Sequence, residues 1–251
     1  MTLSAGIDLG STTIKLVLIE DGQIIRRELE NSSSNPQQAA LSLLKAVPKD
    51  CPILATGYGR DLLEVEHNIP TITEIKAHAA GARFLFPDCA AVVDIGGQDV
   101  KVIKLDSNGR VNKFEMNDRC AAGTGKFLEV MAQRLGYTLD EFQRASGSGT
   151  ESVSINSMCT VFAESEVVGL LNRGFAREDI GRALHKSIAR RIASMFGRAC
   201  CGDEVNILAT GGGSLNDCLV SMLSEHVKFQ IQTREFAQFA GAIGCAICGA
   251  A

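Results

Sequence analysis

Apolar and polar positions along the chain fall into one pattern twice. The first copy runs as an apolar strand into Asp8-Leu9-Gly10-Ser11-Thr12-Thr13-Ile14-Lys15, continues as a second apolar strand to Asp21-Gly22, and resumes over Gln23–Glu28. The second copy begins with an apolar run, Ala90 to Val93, and enters Asp94-Ile95-Gly96-Gly97-Gln98-Asp99. It continues through Val100, Val102 and Leu105, with Ile103 breaking the strict alternation, turns at Asp106-Ser107-Asn108-Gly109, and resumes over Arg110–Glu115. Short apolar runs broken by glycine predict strand, tight turn, strand, hairpin, strand. Asp-Gly and Asn-Gly are strong hairpin signals. Asp94, Gly96 and Lys101 each lie 86 residues beyond Asp8, Gly10 and Lys15. A repeated supersecondary unit in one frame predicts two similar lobes.

The remaining pattern fills in around these units. Ala39–Val47 reads as a short amphipathic helix after the polar loop 31–38. Pro52–Ala55 reads as a strand ending at Thr56-Gly57-Tyr58-Gly59-Arg60. Glu74–Phe86 has helical spacing and many small residues, and Pro87-Asp88 is the expected crossover. Thr124–Leu135, Met158–Leu171 and Asp179–Ala199 follow as helices, the last with basic residues on a solvated face. Asn206–Ala209 is a strand into Thr210-Gly211-Gly212-Gly213-Ser214, and the C-terminal helix comes after Lys228–Ile231. A C-terminal helix beginning near Gln238 is expected to pack back on the first lobe. The fold class is α/β, with residues 1–88 and 237–251 in one lobe and 89–236 in the other.

Composition narrows the classes. With 251 residues, 45% of them hydrophobic, the chain can bury a core. A net charge of −4 argues against a nucleic-acid surface, which would be basic. The apolar tail from Phe236 is shorter than a membrane span and rich in Gly and Ala, so a buried helix is expected and no membrane contact. No run resembles a signal peptide, so a cytoplasmic, reducing location is expected. Its nine cysteines are then thiols or metal ligands rather than a disulfide framework.

Several stretches carry chemistry. Glycine turns let backbone N–H groups approach a ligand and form an anion nest. An Asp at the end of the preceding strand suits a water or a hydrated Mg²⁺. Two such turns, with Asp8 and Asp94, would clamp a polyphosphate and its metal from both sides. Gly211, Gly212 and Gly213 would let a flat ligand lie against the backbone. Cys120-Ala121-Ala122-Gly123-Thr124-Gly125-Lys126-Phe127 is a near miss to a P-loop: it has Cys120 where Gly is needed and Phe127 where Ser or Thr is needed. Cys120 and Cys159 each lie just ahead of, or at the start of, a predicted helix, where about half a positive charge favours thiolate. Taken as residues alone, the pair reads more readily as small buried side chains than as metal ligands. Cys245-Ala246-Ile247-Cys248 lies in an apolar small-residue helix and reads as core packing. Cys200-Cys201 ends a helix, Cys51, Cys89 and Cys218 look incidental, and His67, His78, His185 and His226 show no paired ligand spacing.

In order, Asp8-Leu9-Gly10-Ser11-Thr12, Asp94-Ile95-Gly96-Gly97 and Thr210-Gly211-Gly212-Gly213 resemble the two phosphate loops and the adenosine loop of the actin, sugar kinase and heat-shock chaperone superfamily. Glu74 and its helix resemble the first inter-lobe helix, and Ala240-Gly241-Ala242-Ile243-Gly244 the second. Asn117 to Glu129, Ser157 to Glu166 and Thr56-Gly57-Tyr58-Gly59-Arg60 resemble more narrowly the ATP-dependent activators of 2-hydroxyacyl-CoA dehydratases (the BadF/BadG/BcrA/BcrD type), relatives of benzoyl-CoA reductase ATPase subunits. The resemblance implies a two-lobed actin-like ATPase fold with duplicated ribonuclease H-like subdomains. It also implies a homodimer sharing one 4Fe–4S cluster, with Cys120 and Cys159 as each chain's ligands. Two cysteines per chain cannot complete a four-cysteine cluster, so the cluster predicts the dimer.

The roles implied are these. Asp8 and Asp94 hold hydrated Mg²⁺. Gly10, Ser11, Thr12 and Thr13 bind phosphates with Gly96, Gly97 and Gln98, and Gly211–Gly213 flank the adenosine of ATP or ADP. Gln98 or Glu74 orients the attacking water. Lys15 reaches a phosphate or points to solvent. Glu129 and Glu166 are nucleotide contacts or helix-face charges. The implied function is an ATPase that delivers a low-potential electron to a dehydratase, double-cubane or ring-reductase partner, reloaded by ferredoxin or flavodoxin. The rivals are a small-molecule kinase of amino-sugar type and a nucleotide-dependent interaction protein.

Overall fold

The structure, a computed structural model, describes residues 2–32, 35–157, 159–200 and 206–250. The two repeats form two sheets of matching topology. In the first, β1 (Leu3–Leu9), β2 (Thr13–Glu20) and β3 (Gln23–Asn31) form an antiparallel meander. After α1 (Pro36–Leu44), β4 (Ile53–Thr56) joins parallel to β1, giving the order β3-β2-β1-β4. Then come α2 (Arg60–His67) and α3 (Glu74–Leu85).

The second sheet repeats the plan with β5 (Ala91–Ile95), β6 (Val100–Leu105) and β7 (Val111–Asn117). Four helices follow: α4 (Gly125–Leu135), α5 (Leu139–Ser148), α6 (Thr160–Asn172) and α7 (Arg177–Ala199). β8 (Ile207–Thr210) then pairs parallel with β5, α8 (Asp217–Val227) follows, and β9 (Ile231–Gln232) completes the order β7-β6-β5-β8-β9. A 3₁₀ turn, Ala237–Phe239, leads into α9 (Ala240–Gly249).

The break in alternation at Ile103 has a simple cause. Both faces of the inner strands are covered, so both parities are apolar. Val100 and Val102 face the core built with α4 and α7, while Ile103 and Leu105 pack with Ala79 and Ala82 of α3. In the first sheet, Ile7, Leu16 and Ile14 pack on α1, and Val17 and Ile19 pack on α9. The outer strands β3 and β7 are half exposed and charged, as edges that must not pair with other chains tend to be.

α9 lies on the first sheet and on α3, as expected of the C-terminal helix. The α3–α9 contact is backbone to backbone. A Cβ at Gly244 would stand 1.8 Å from the Ala77 carbonyl oxygen, and one at Gly81 would stand 1.9 Å from that of Ala240. Gly244→Ala gains about 1 kcal/mol of helix propensity. The clash with fixed backbone costs more, so the variant should be net destabilised by ~2 kcal/mol. A denaturant midpoint that falls with an unchanged m value is the expected result; an unchanged midpoint contradicts the packing.

Some boundaries differ from expectation. α4 begins at Gly125 with Thr124 as N-cap, and α6 begins at Thr160 with Cys159 as N-cap. Met158 and Cys201, which carried expectations, lie outside the described residues. α7 begins at Arg177, not Asp179, because Glu178 and Asp179 suit its first turn. α8 ends at a left-handed Lys228, and the short strand Ile231–Gln232 follows it. The basic face of α7 is only partly solvated: Lys186 pairs with Glu151 and Arg198 with Glu115.

Three helices were missed. α2 buries only Leu63 among charged residues, so it has no apolar stripe to read. α5 did have a signal: Thr138 accepts from the Glu141 N–H and Glu141 reaches back, a capping box written Thr-Leu-Asp-Glu. α8 has Asn216 as N-cap, accepting from the Leu219 N–H.

Candidate active site

The ends of β1, β5 and β8 meet at a cleft of about 380 Å³. Its lining gathers nearly every nucleotide-site residue expected from the sequence: Asp8, Gly10–Thr13, Lys15, Glu74, Asp94, Gly96–Gln98, Glu129 and Gly211–Gly213. The two glycine turns touch. A Cβ at Gly97 would lie 2.0 Å from Thr12 Oγ1 and 3.1 Å from Ser11 Oγ. Glycine is required there because the turns approach more closely than any side chain permits.

Each turn is pinned from behind. Ser32 Oγ donates to the Gly10 carbonyl at 2.7 Å, and the Ser32 N–H donates to Thr12 at 2.9 Å. The Gly96 and Gly97 carbonyls accept the N–H groups of Gly125 and Lys126 at 2.9 and 2.8 Å. The first amides of α4 are therefore spent on the turn. Lys126 Nζ pairs with Glu129 at 3.0 Å on the surface, in accord with rejecting a P-loop there.

The repeat places an Asp–Lys pair in each sheet. The antiparallel registers set Asp8 opposite Lys15 and Asp94 opposite Lys101. Lys15 is buried, lines the cleft and has its Nζ 3.7 Å from Asp8 Oδ2. This settles the alternative of Lys15 pointing to solvent. Asp94 is more heavily engaged. Lys101 Nζ donates to its Oδ2 at 3.2 Å, Thr210 Oγ1 donates to Oδ1 at 3.0 Å, and His78 Nδ1 lies 3.2 Å from both that Oδ1 and Thr210 Oγ1.

Burial alone would raise the Asp94 pKa, but His78 and Lys101 outweigh it and hold the group at about 2. That lies below the ~3.9 of an unfolded Asp. The stabilisation this shift contributes, about 2 kcal/mol, is complete above pH ~4 and is lost as pH falls toward 2. Asp94→Asn should therefore lower stability at neutral pH and flatten the acid limb of an unfolding curve. An acid limb as steep as in the unchanged protein would contradict this.

Lys101 is buried and bridges Glu74 at 2.6 Å, Asp94 and Asp99. Its three carboxylates hold the ammonium charged against burial, and its pKa is raised. Glu74, the first residue of α3, is pushed up by burial and pulled back by Lys101. Gln98 is exposed at the cleft wall. Glu129 lines the cleft. Glu166 does not; its carboxylate accepts from the N–H groups of Asn156 and Ser157, at 3.2 and 3.0 Å, and so ties down the segment before Cys159.

Sequence reading missed His78, Lys101 and Asp99 at one wall, and Tyr58, Leu139, Asp140, Gln143, Leu215 and Asn216 at others. The 86-residue frame already pointed to Lys101 as the twin of Lys15. His78 had no local signal, because its place depends on α3 docking against β5 and β8.

The cysteines sort by exposure. Cys51, Cys89, Cys200 and Cys245 are buried and Cys218 is half-buried, while Cys120, Cys159 and Cys248 are exposed. Burial raises the thiol pKa of Cys89 and Cys218 to about 11, and raises that of Cys245 as well. Cys245 packs with Leu54 and Ala77, the core role expected of it, whereas Cys248, expected in the core with it, is exposed near the end of α9. Cys120 and Cys159 are not small buried residues. Around Cys120 the chain is tightly held: Asn117 Nδ2 donates to the Cys120 carbonyl at 3.0 Å, and Arg191 donates to that of Ala122 at 2.9 Å. No group of three or more potential metal ligands occurs among the described residues of one chain.

Known proteins are similar to this chain over most of their length. YjiL of Escherichia coli is 45% identical, with 99% of this chain and 97% of that protein covered. The (R)-2-hydroxyglutaryl-CoA dehydratase activating ATPase of Acidaminococcus fermentans is 39% identical over 96% of this chain and 95% of its own. The solved activator of the 2-hydroxyisocaproyl-CoA dehydratase from Clostridium difficile, with bound ADPNP, superposes with a TM-score of 0.90 at 36% identity, covering 99% of this chain and 94% of that one. The actin-like fold implied by the resemblance also has a sugar-kinase neighbour, a ROK family glucokinase from Streptomyces griseus, with a TM-score of 0.62 at 13% identity, covering 98% of this chain and 98% of that one. The model of the BadF/BadG/BcrA/BcrD ATPase family matches residues 5–249, and this chain belongs to that family.

Proposed function

We propose that the chain is an ATP-hydrolysing electron-transfer activator for a 2-hydroxyacyl-CoA dehydratase or a related double-cubane or ring-reductase component. It works as a homodimer in the cytoplasm, with ferredoxin or flavodoxin as donor. The observation that carries this reading is a physical connection. The turn bearing Gly96 and Gly97 is hydrogen-bonded to the first amides of α4, and Cys120 lies five residues before Gly125. A phosphate that shifts the turn therefore shifts the loop holding Cys120.

The residues present fit Mg²⁺. Asp8, Glu74, Asp94 and Asp99 face Lys15 and Lys101, with His78 against Asp94, so the carboxylates outnumber the cations. A polyphosphate enters such a cleft only with a cation. Mg²⁺ keeps several waters and takes phosphate oxygens, so one or two carboxylates suffice to hold it. Asp8 and Asp94 hold it through water, Asp8 with the freer carboxylate. Gly10–Thr13 and Gly96–Gln98 bind phosphates, Lys15 reaches one of them, and Gly211–Gly213 back the adenosine. Glu74 or Gln98 positions the water.

The cysteines fit a 4Fe–4S cluster. Cys120 and Cys159 are exposed thiols at or ahead of helix starts, with small neighbours Ala121, Ala122 and Gly123 leaving room. Two per chain require a second copy. When bound, the cluster supplies a one-electron carrier. The chain's part is to hold it through these thiolates, and to couple their loops to the phosphate turn. Product analysis tests the proposal: free phosphate, with no phosphorylated acceptor, is expected. A phosphorylated sugar or amino sugar would make the chain a kinase.

A further inference from the structure

The two repeats place a lysine at the same position, Lys15 in one and Lys101 in the other, but surround them differently. Lys15 meets one carboxylate, Asp8, at 3.7 Å. Lys101, with 2% of its side chain exposed, meets Glu74, Asp94 and Asp99. One carboxylate suffices to neutralise a buried ammonium. An ammonium has three donors, and here each finds a carboxylate from a different element: the start of α3, the end of β5 and the glycine turn. All three carboxylates line the cleft. The parity of β6 explains how Lys101 gets there: it points to the α3 side together with Ile103 and Leu105.

We propose that Lys101 is a positioning residue for ATP hydrolysis: a three-way anchor that fixes Glu74 against Asp94 and the glycine turn. It touches neither nucleotide nor water itself and acts through Glu74. The proposal rests on the reading of Glu74 as the carboxylate that orients the attacking water. A carboxylate on the inter-lobe helix is useful in that role only if its distance to the phosphate turn is fixed, and Lys101 is the atom-level link between the two.

The test is a double-mutant cycle on ATP turnover, with Lys101→Met, Glu74→Gln and the pair combined. Glu74→Gln and Lys101→Met should each lower kcat by ~10²-fold. KM for ATP should stay within about threefold. In the Glu74→Gln background, Lys101→Met should cost little more, because its target is already gone. If Lys101→Met costs the same factor in both backgrounds, Lys101 acts elsewhere and the proposal falls while Glu74 keeps its role. If Glu74→Gln turns over normally, both fall. Lys101→Met leaves three carboxylates without their cation and is at risk of misfolding, so Lys101→Arg is the second variant. It keeps the charge, but a planar guanidinium cannot reach the same three acceptors. A folded Lys101→Arg protein should lose at least about tenfold in kcat at nearly unchanged KM; full turnover would overturn the proposal.

Discussion

Cys159→Ser is expected to fold, to hydrolyse ATP and to lose its iron. Cys159 is the N-cap of α6 and its side chain makes no capping hydrogen bond. Serine is among the preferred N-cap residues and supplies the missing acceptor. The helix should therefore lose no stability, and it gains up to about 1 kcal/mol if the cap forms. As an iron ligand, however, serine replaces a soft thiolate with a hydroxyl that stays protonated near neutral pH. Fold and ligation are thus separated at one position. Cys245→Ser makes the opposite case. Cys245 is fully buried against Leu54 and Ala77, so the hydroxyl is desolvated there. It should lower stability by ~1–3 kcal/mol while iron is retained. Iron content and thermal midpoint, measured on both variants, check the pair. Unchanged iron in Cys159→Ser would remove Cys159 from the ligand set.

Asp8→Asn is expected to reduce ATP turnover by on the order of 10²-fold or more, with partial recovery at high Mg²⁺. Asp8 is buried at the mouth of β1, and its carboxylate has Lys15 at 3.7 Å as ion-pair partner. Asp94 has both oxygens engaged by Lys101, Thr210 and His78. Asp8 thus has the more available oxygens for a hydrated cation. Removing its charge also leaves Lys15 without its carboxylate, so phosphate binding should persist while the metal's hold weakens. Phosphate release measured across a Mg²⁺ titration reads this directly. Turnover and Mg²⁺ dependence equal to the unchanged protein would show that Asp8 takes no part.

Much of this was legible because the repeat is local. The 86-residue frame carried β1–β3 and β5–β7, both glycine turns and the Asp–Lys pairs. The cleft's other wall was less legible. α5 supplies Leu139, Asp140 and Gln143, and its capping box at Thr138 was the one sequence signal for it. His78 and Glu166 act across docked elements rather than along the chain. His78 reaches Asp94 and Thr210 only once α3 lies on the second sheet. Glu166 reaches Asn156 and Ser157 only once the segment before α6 folds back. Spacing along a strand or helix carries no trace of either contact. The exposure of Cys120 and Cys159 is similarly a tertiary fact, since neither sequence neighbourhood distinguishes a buried thiol from a surface one.

The central claim is a cluster shared by two copies of the chain. Iron, sulfide and molecular mass, measured on protein purified without oxygen, test it most directly. A brown dimer with about four irons and four sulfides, bleached by air, is the predicted result. An iron-free protein that still hydrolyses ATP after anaerobic reconstitution would contradict it.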